Sequence, residues 1–99
     1  MRTQVRVVSV EVVPIQGAEI ALEASGAYAS IYVLAPNDDA AIDLAAREMT
    51  HAGWSPVAIP DVRTVNTESF TDDNDALKYF EQCLIDGVVV VLHTWRDMH

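Results

Sequence analysis

Residues 37–65 read NDDAAIDLAAREMTHAG followed by WSPVAIPDVRTV, a helix and a strand around which the other elements form further layers. Its first half carries a helix start and a helix stop. Asn37 or Asp38 has the short polar side chain that accepts a hydrogen bond from a free first-turn N–H, and Asp38 and Asp39 suit the positive end of the helix dipole. Ala41, Leu44, Ala45, Met49 and Ala52 recur at three- and four-residue spacing, the stripe of a helix lying on an apolar surface. Gly53 suits the left-handed position after the last turn. From Trp54 to Val65 the chain reads as a strand. Pro56 and Pro60 each remove a ladder donor, so this strand belongs at an edge or carries a bulge.

Outward from this unit, Gln4–Val13 is a valine-rich strand with Val8, Val10 and Val12 on one face and Val5, Val7, Ser9, Glu11 and Val13 on the other. Residues 15–25 carry turn signals at Gln16-Gly17 and Ser25-Gly26 and read as an irregular hairpin arm. Ala27–Ala35 is a second strand. Tyr28, Ser30, Tyr32 and Leu34 share one face, and aliphatic Ala29, Ile31 and Val33 share the face expected to meet the helices. After a polar, acidic loop at 66–75, with Asp73 or Asn74 as cap, a second helix over 75–86 puts Ala76, Leu77, Phe80, Cys83 and Leu84 on one stripe. Gly87 stops it. Val88–Leu92, aliphatic on both faces, reads as a central strand. The order strand, strand, helix, strand, helix, strand predicts an α+β two-layer sandwich. Its four-stranded, mostly antiparallel sheet carries two helices on one face (ββαβαβ), as in ferredoxin-like or related arrangements.

Ninety-nine residues with 51% hydrophobic composition make one domain, 1–99, able to bury a core without staples. Fifteen acids against six bases give a net charge of −9, and eleven acids and three bases fall between residues 37 and 86. That balance disfavours nucleic acid, whose phosphates need a basic face, and suits a basic partner. The single cysteine, Cys83, allows no internal disulfide and reads as a buried thiol. The N-terminus lacks a charged-then-apolar leader, and the apolar run 87–92 is too short to span a bilayer. The expectation is a cytoplasmic protein away from the membrane.

His51, His93, His99 and Cys83 show no metal-ligand spacing. The run DDND lacks the glycine and closing glutamate of a calcium loop. No glycine-rich loop follows a strand, and no nucleophile elbow is present. No catalytic residue, metal or cofactor is therefore expected. One constellation stands out: Tyr28, Tyr32, Trp54, His93 and Trp95, aromatic and imidazole groups suited to an interface or a shallow ligand surface. A second set, Asp61, Glu68, Asp72, Asp73 and Asp75, forms a candidate acidic edge.

The segments GAYASIYVLA, AGWSPVAIPDV, LKYFEQCLIDG and VVVLHTW together resemble small bacterial α+β proteins without an assigned role. The resemblance spans most of residues 26–95. It implies a single compact domain and brings no activity, so no site residue carries over.

These features favour a non-enzymatic binding or interaction module working as a homodimer, because a sheet covered on one face only leaves an apolar face open. One alternative is an acidic inhibitor or immunity protein acting on a basic partner. Another is a small hydrolase or isomerase, for which nucleophile, base and oxyanion donors would have to converge.

Overall fold

The computed structural model describes residues 3–22, 24–58, 60–66 and 74–96. The elements are β1 (Gln4–Pro14), a 3-10 turn (Glu19–Leu22), β2 (Gly26–Ala35), α1 (Asp38–His51), β3 (Trp54–Pro56), β4 (Asp61–Thr64), α2 (Asn74–Asp86) and β5 (Val88–Trp95). The fold is α+β, and the described residues form an antiparallel sheet of five strands and two helices. β1 and β2 form its centre, with Gln4 opposite Ala35 and Val12 opposite Ala27. β5 lies against β2, with Val33 opposite Val88 and Gly26 opposite Trp95.

Five strands stand where four are expected because the stretch 54–65 is divided. β3 and β4 both pair with β1, at Pro56↔Val12 and Asp61↔Ser9. Between these pairs the outer chain has four residues, 57–60, against two in β1, Val10 and Glu11. Pro56 and Pro60 bracket this excess: the Val57 N–H still donates to the Glu11 carbonyl at 3.0 Å, and regular pairing resumes at Asp61, after Pro60.

The helices do not share a face. Residues opposite one another in the register lie on the same side of the sheet. Val8, Val10, Val12, Ala27, Ala29, Ile31 and Val33 form one core with Ala41, Ala45 and Met49 of α1. Val5, Val7 and Tyr32 form a second core with Phe80 and Cys83 of α2. The sheet is therefore sandwiched between α1 and α2, and the two-layer arrangement with both helices together is corrected. The physical reason is visible in β1 and β2, which carry apolar side chains on both sides and so offer each helix a surface of its own.

The helix signals act as expected. Asn37 is the N-cap of α1, and its Oδ1 accepts from the N–H of Ala40 at 2.8 Å. Gly53 and Gly87 follow α1 and α2 with φ of +90° and +87°, a region that L side chains resist. The stripes are narrower than their spacing implies. Leu44 is 38% exposed, Leu84 is 53% exposed, and Ala52 is exposed. β5 is an edge among the described residues and not the central strand its pattern suggests.

Candidate functional site

α2 covers one end of its sheet face. Phe80 and Cys83 press on Val5, Val7 and Tyr32, with Leu77, Val89 and Leu34 around them. Tyr79 closes over Tyr32, with ring centroids 5.9 Å apart, so Tyr32 is buried. Val5 and Val7 are buried too, which removes them from the face expected to be open.

Toward the other end this face becomes polar and aromatic. Glu11, Tyr28 and His93 form one row across β1, β2 and β5. Tyr28 is 59% exposed, His93 is exposed and Glu11 half-buried. Trp95 lies beside Tyr28, with ring centroids 5.3 Å apart and planes tilted by 50°, within the range of favourable aromatic contacts. Gly26 makes room for that ring. A β-carbon at Gly26 would stand 2.7 Å from Trp95 Cε2 and nearer still to Cζ2. Where the patch meets the start of α2 there is a cleft of about 320 Å³, lined by Ser30, Asp75, Tyr79, Val91 and His93 among others.

Three members of the aromatic set, Tyr28, His93 and Trp95, thus come together, with Tyr32 beneath the neighbouring Tyr79. Trp54 stands apart. It packs under α1 on the opposite face and is 1% exposed. Of the acidic set, Asp61 is exposed on β4 and Asp75 is exposed beside β5, so these two flank the sheet from opposite edges. Glu68, Asp72 and Asp73 lie outside the described residues, as do the capping position at Asp73 and His99.

Two features have no signal in the sequence pattern. Arg6 is a largely buried cation, its side chain 13% exposed. Its Nη1 donates to Asp38 Oδ1 at 2.7 Å and to Thr64 Oγ1 at 2.9 Å, while Nε and Nη2 donate to the carbonyls of Ala35 and Pro36 at 3.2 Å. One fork therefore ties β1 to the start of α1 and to β4. The second is an apolar pocket of about 230 Å³ beneath α1, lined by Val8, Val10, Ile42, Met49, Pro56 and Pro60 among others. It opens where the outer strand divides, and its walls hold almost no polar group to orient a ligand.

Cys83 is fully buried, and loss of solvent pushes its thiol up from 9.0 to about 11. A thiol so placed is a weak nucleophile. Among the described residues no three of His, Cys, Asp and Glu gather in a way that could hold a metal ion, and no helix is long and apolar enough to cross a membrane. No family model matches the chain, and no curated protein or solved structure matches it.

Proposed function

We propose that this protein is a small non-enzymatic interaction module that presents the Tyr28–His93–Trp95 surface to a basic partner and acts as a homodimer through a sheet edge, since α1 and α2 take the two faces. One observation carries the reading: two helices cover most of the sheet, and what they leave open is aromatic and acidic. Tyr28 is exposed beside the half-buried Trp95, and Glu11 and Asp75 stand at either side. A guanidinium or ammonium group over such rings is attracted to their π-faces, by roughly 0.5–2 kcal/mol, and carboxylates nearby add charge complementarity. The net charge of −9 would draw a basic partner from a distance.

Capture from native lysate, with the bound protein identified by mass, tests this. The expected partner is basic, is released as salt rises, and is lost with Tyr28→Ala or Glu11→Gln while Asp61→Asn keeps it. Capture that ignores the Tyr28 and Glu11 substitutions and fails with Asp61→Asn would move the contact to the β4 edge and overturn the assignment of this surface.

A further inference from the structure

The two edges of the sheet are built differently. The β3/β4 edge carries Pro56 and Pro60, two excess residues, and the charged Asp61 and Arg63. These are devices that prevent another strand from adding. β5 has none of them. It reads VVVVLHTW, with no proline, no glycine and no Asp, Glu, Lys or Arg.

Among the described residues only β2 pairs with β5. The Leu34 N–H donates to the Gly87 carbonyl at 2.9 Å, in step with the register Val33↔Val88. Antiparallel alternation then turns the main-chain groups of Gly87, Val89, Val91 and His93 toward β2, and those of Val88, Val90, Leu92 and Thr94 outward. Val88, Val90 and Leu92 pack on the α1 core and Val89 and Val91 on the α2 core, yet all five are only half-buried, so the apolar edge stays partly open to solvent.

We propose that β5 pairs antiparallel with β5 of a second copy about a two-fold axis at Val91, making one continuous sheet through the dimer. The inference deepens the homodimer of the preceding section and rests on it. A second copy is the occupant because identical antiparallel strands are self-complementary. β5 is also uncharged in a chain of net charge −9, so two copies meet there without like charges facing. The outward groups set the register. An axis at Val91 places Val90 opposite the partner's Leu92 and Val88 opposite the partner's Thr94, giving about eight main-chain hydrogen bonds. Moving the axis to Leu92 loses one pair and sets Val88 against the partner's Arg96. Val91 and His93 line the cleft at the start of α2, so the axis brings the two clefts together. The partner's Val89 then extends the wall beside His93.

The test uses the full chain with Val91→Cys, and with Val89→Cys as control. Val91 faces its own copy across the axis, whereas Val89 faces the partner's His93, and Cys83 is buried out of reach. Mild oxidation at about 100 μM should link Val91→Cys into a dimer of the 10.9 kDa chain and leave Val89→Cys unlinked. Thr94→Pro removes an outward donor that β2 does not use, and should raise the dimer dissociation constant about tenfold or more in sedimentation, with circular dichroism unchanged. A dimer that Val91→Cys fails to trap, that Val89→Cys traps equally, or that Thr94→Pro leaves intact would overturn the β5 pairing and keep the homodimer. A mass that stays monomeric at about 100 μM, with fast amide exchange at Val88, Val90, Leu92 and Thr94, would overturn both and leave the edge open to another chain.

Discussion

Beneath α1 the sheet presents Val8, Val10, Val12, Ala29, Ile31 and Val33, and the helix meets them with alanines and Met49. Beneath α2 it presents Val5, Val7 and Tyr32, and then gives way to Ser30, Glu11, Tyr28 and His93. The first face is covered along most of its length, with Trp54 buried near the break in the outer strand and the pocket of about 230 Å³ left beneath the helix. The second is filled at one end. α1 meets its face with small alanines and Met49, whereas α2 meets its face with the larger Phe80, Leu77 and Tyr79. Among the described residues the α1 face buries thirteen core residues and the α2 face six, so the first is expected to carry more of the stability while the second leaves Tyr28 and His93 exposed.

Emptying each face in turn measures how the stability of the fold is divided between them. Trp54→Ala should cost about 3–5 kcal/mol, since the ring is 1% exposed and a cavity would remain. Phe80→Ala, at the margin of a half-covered face, should cost about 2–5 kcal/mol and fall below Trp54→Ala. Denaturant unfolding measures both. A Phe80 loss well above that of Trp54 would mean that the α2 face, and not the α1 face, carries the fold.

Cys83 gives the α2 face a dependence on pH. Its folded thiol is held at about 11, above the 9.0 of an exposed one. The unfolded chain therefore ionises first, and the stability from burying a neutral thiol is fully present below pH 9.0 and lost as pH rises toward 11. At about 1.4 kcal/mol per unit, the loss is up to about 2–3 kcal/mol. Stability of Cys83→Ala should be flatter across that window. A mutant that falls as steeply as the parent would show that Cys83 is not the group responsible.

Arg6 works at the margin of the α1 face. Arg6→Met should cost about 1–3 kcal/mol, because the carbonyls of Ala35 and Pro36 and the Thr64 hydroxyl lose a donor. Asp38→Asn should cost under about 1 kcal/mol, because Asp38 is 60% exposed and its ion pair is screened. Equal losses in the two variants would assign the effect to the ion pair and not to the fork.

Much of the framework is legible along the chain. Alternation in β1 and β2 sorts every side chain to its face, and Asn37, Gly53 and Gly87 mark helix ends. What alternation cannot choose is the helix for each face. Val5 and Val7 are as apolar as Val8 and Val10, so the pattern alone leaves α2 free to join α1 or oppose it. The position of β5 is hidden for a related reason: a run of valines with a core on each face looks the same at the edge of a sheet as at its centre. Within the site, Tyr28, His93 and Trp95 are readable because they share a parity across paired strands. Gly26 is not. It looks like a turn glycine, and its use appears only when the Trp95 ring lies across it. Arg6 is equally silent, since its partners are up to 58 residues away.

The smallest effect tests the width of the α2 stripe. Spacing from Phe80 puts Leu84 one turn on, and a stripe of helical period would bury it. In the structure it is 53% exposed, while Cys83 beside it is fully buried. Successive residues are 100° apart around a helix, so a face centred near Cys83 carries Leu84 toward the flank. The sheet below has only Val5, Val7, Tyr32 and their neighbours to cover, and Phe80 and Cys83 already meet them. Leu84→Ala should therefore cost under about 1 kcal/mol, as half-exposed positions do, against the larger loss at Phe80. The same urea series measures both. A Leu84→Ala loss equal to that of Phe80→Ala would mean that Leu84 is covered in solution, and repeating it below and above the dimer dissociation constant would tell whether the cover is a second copy.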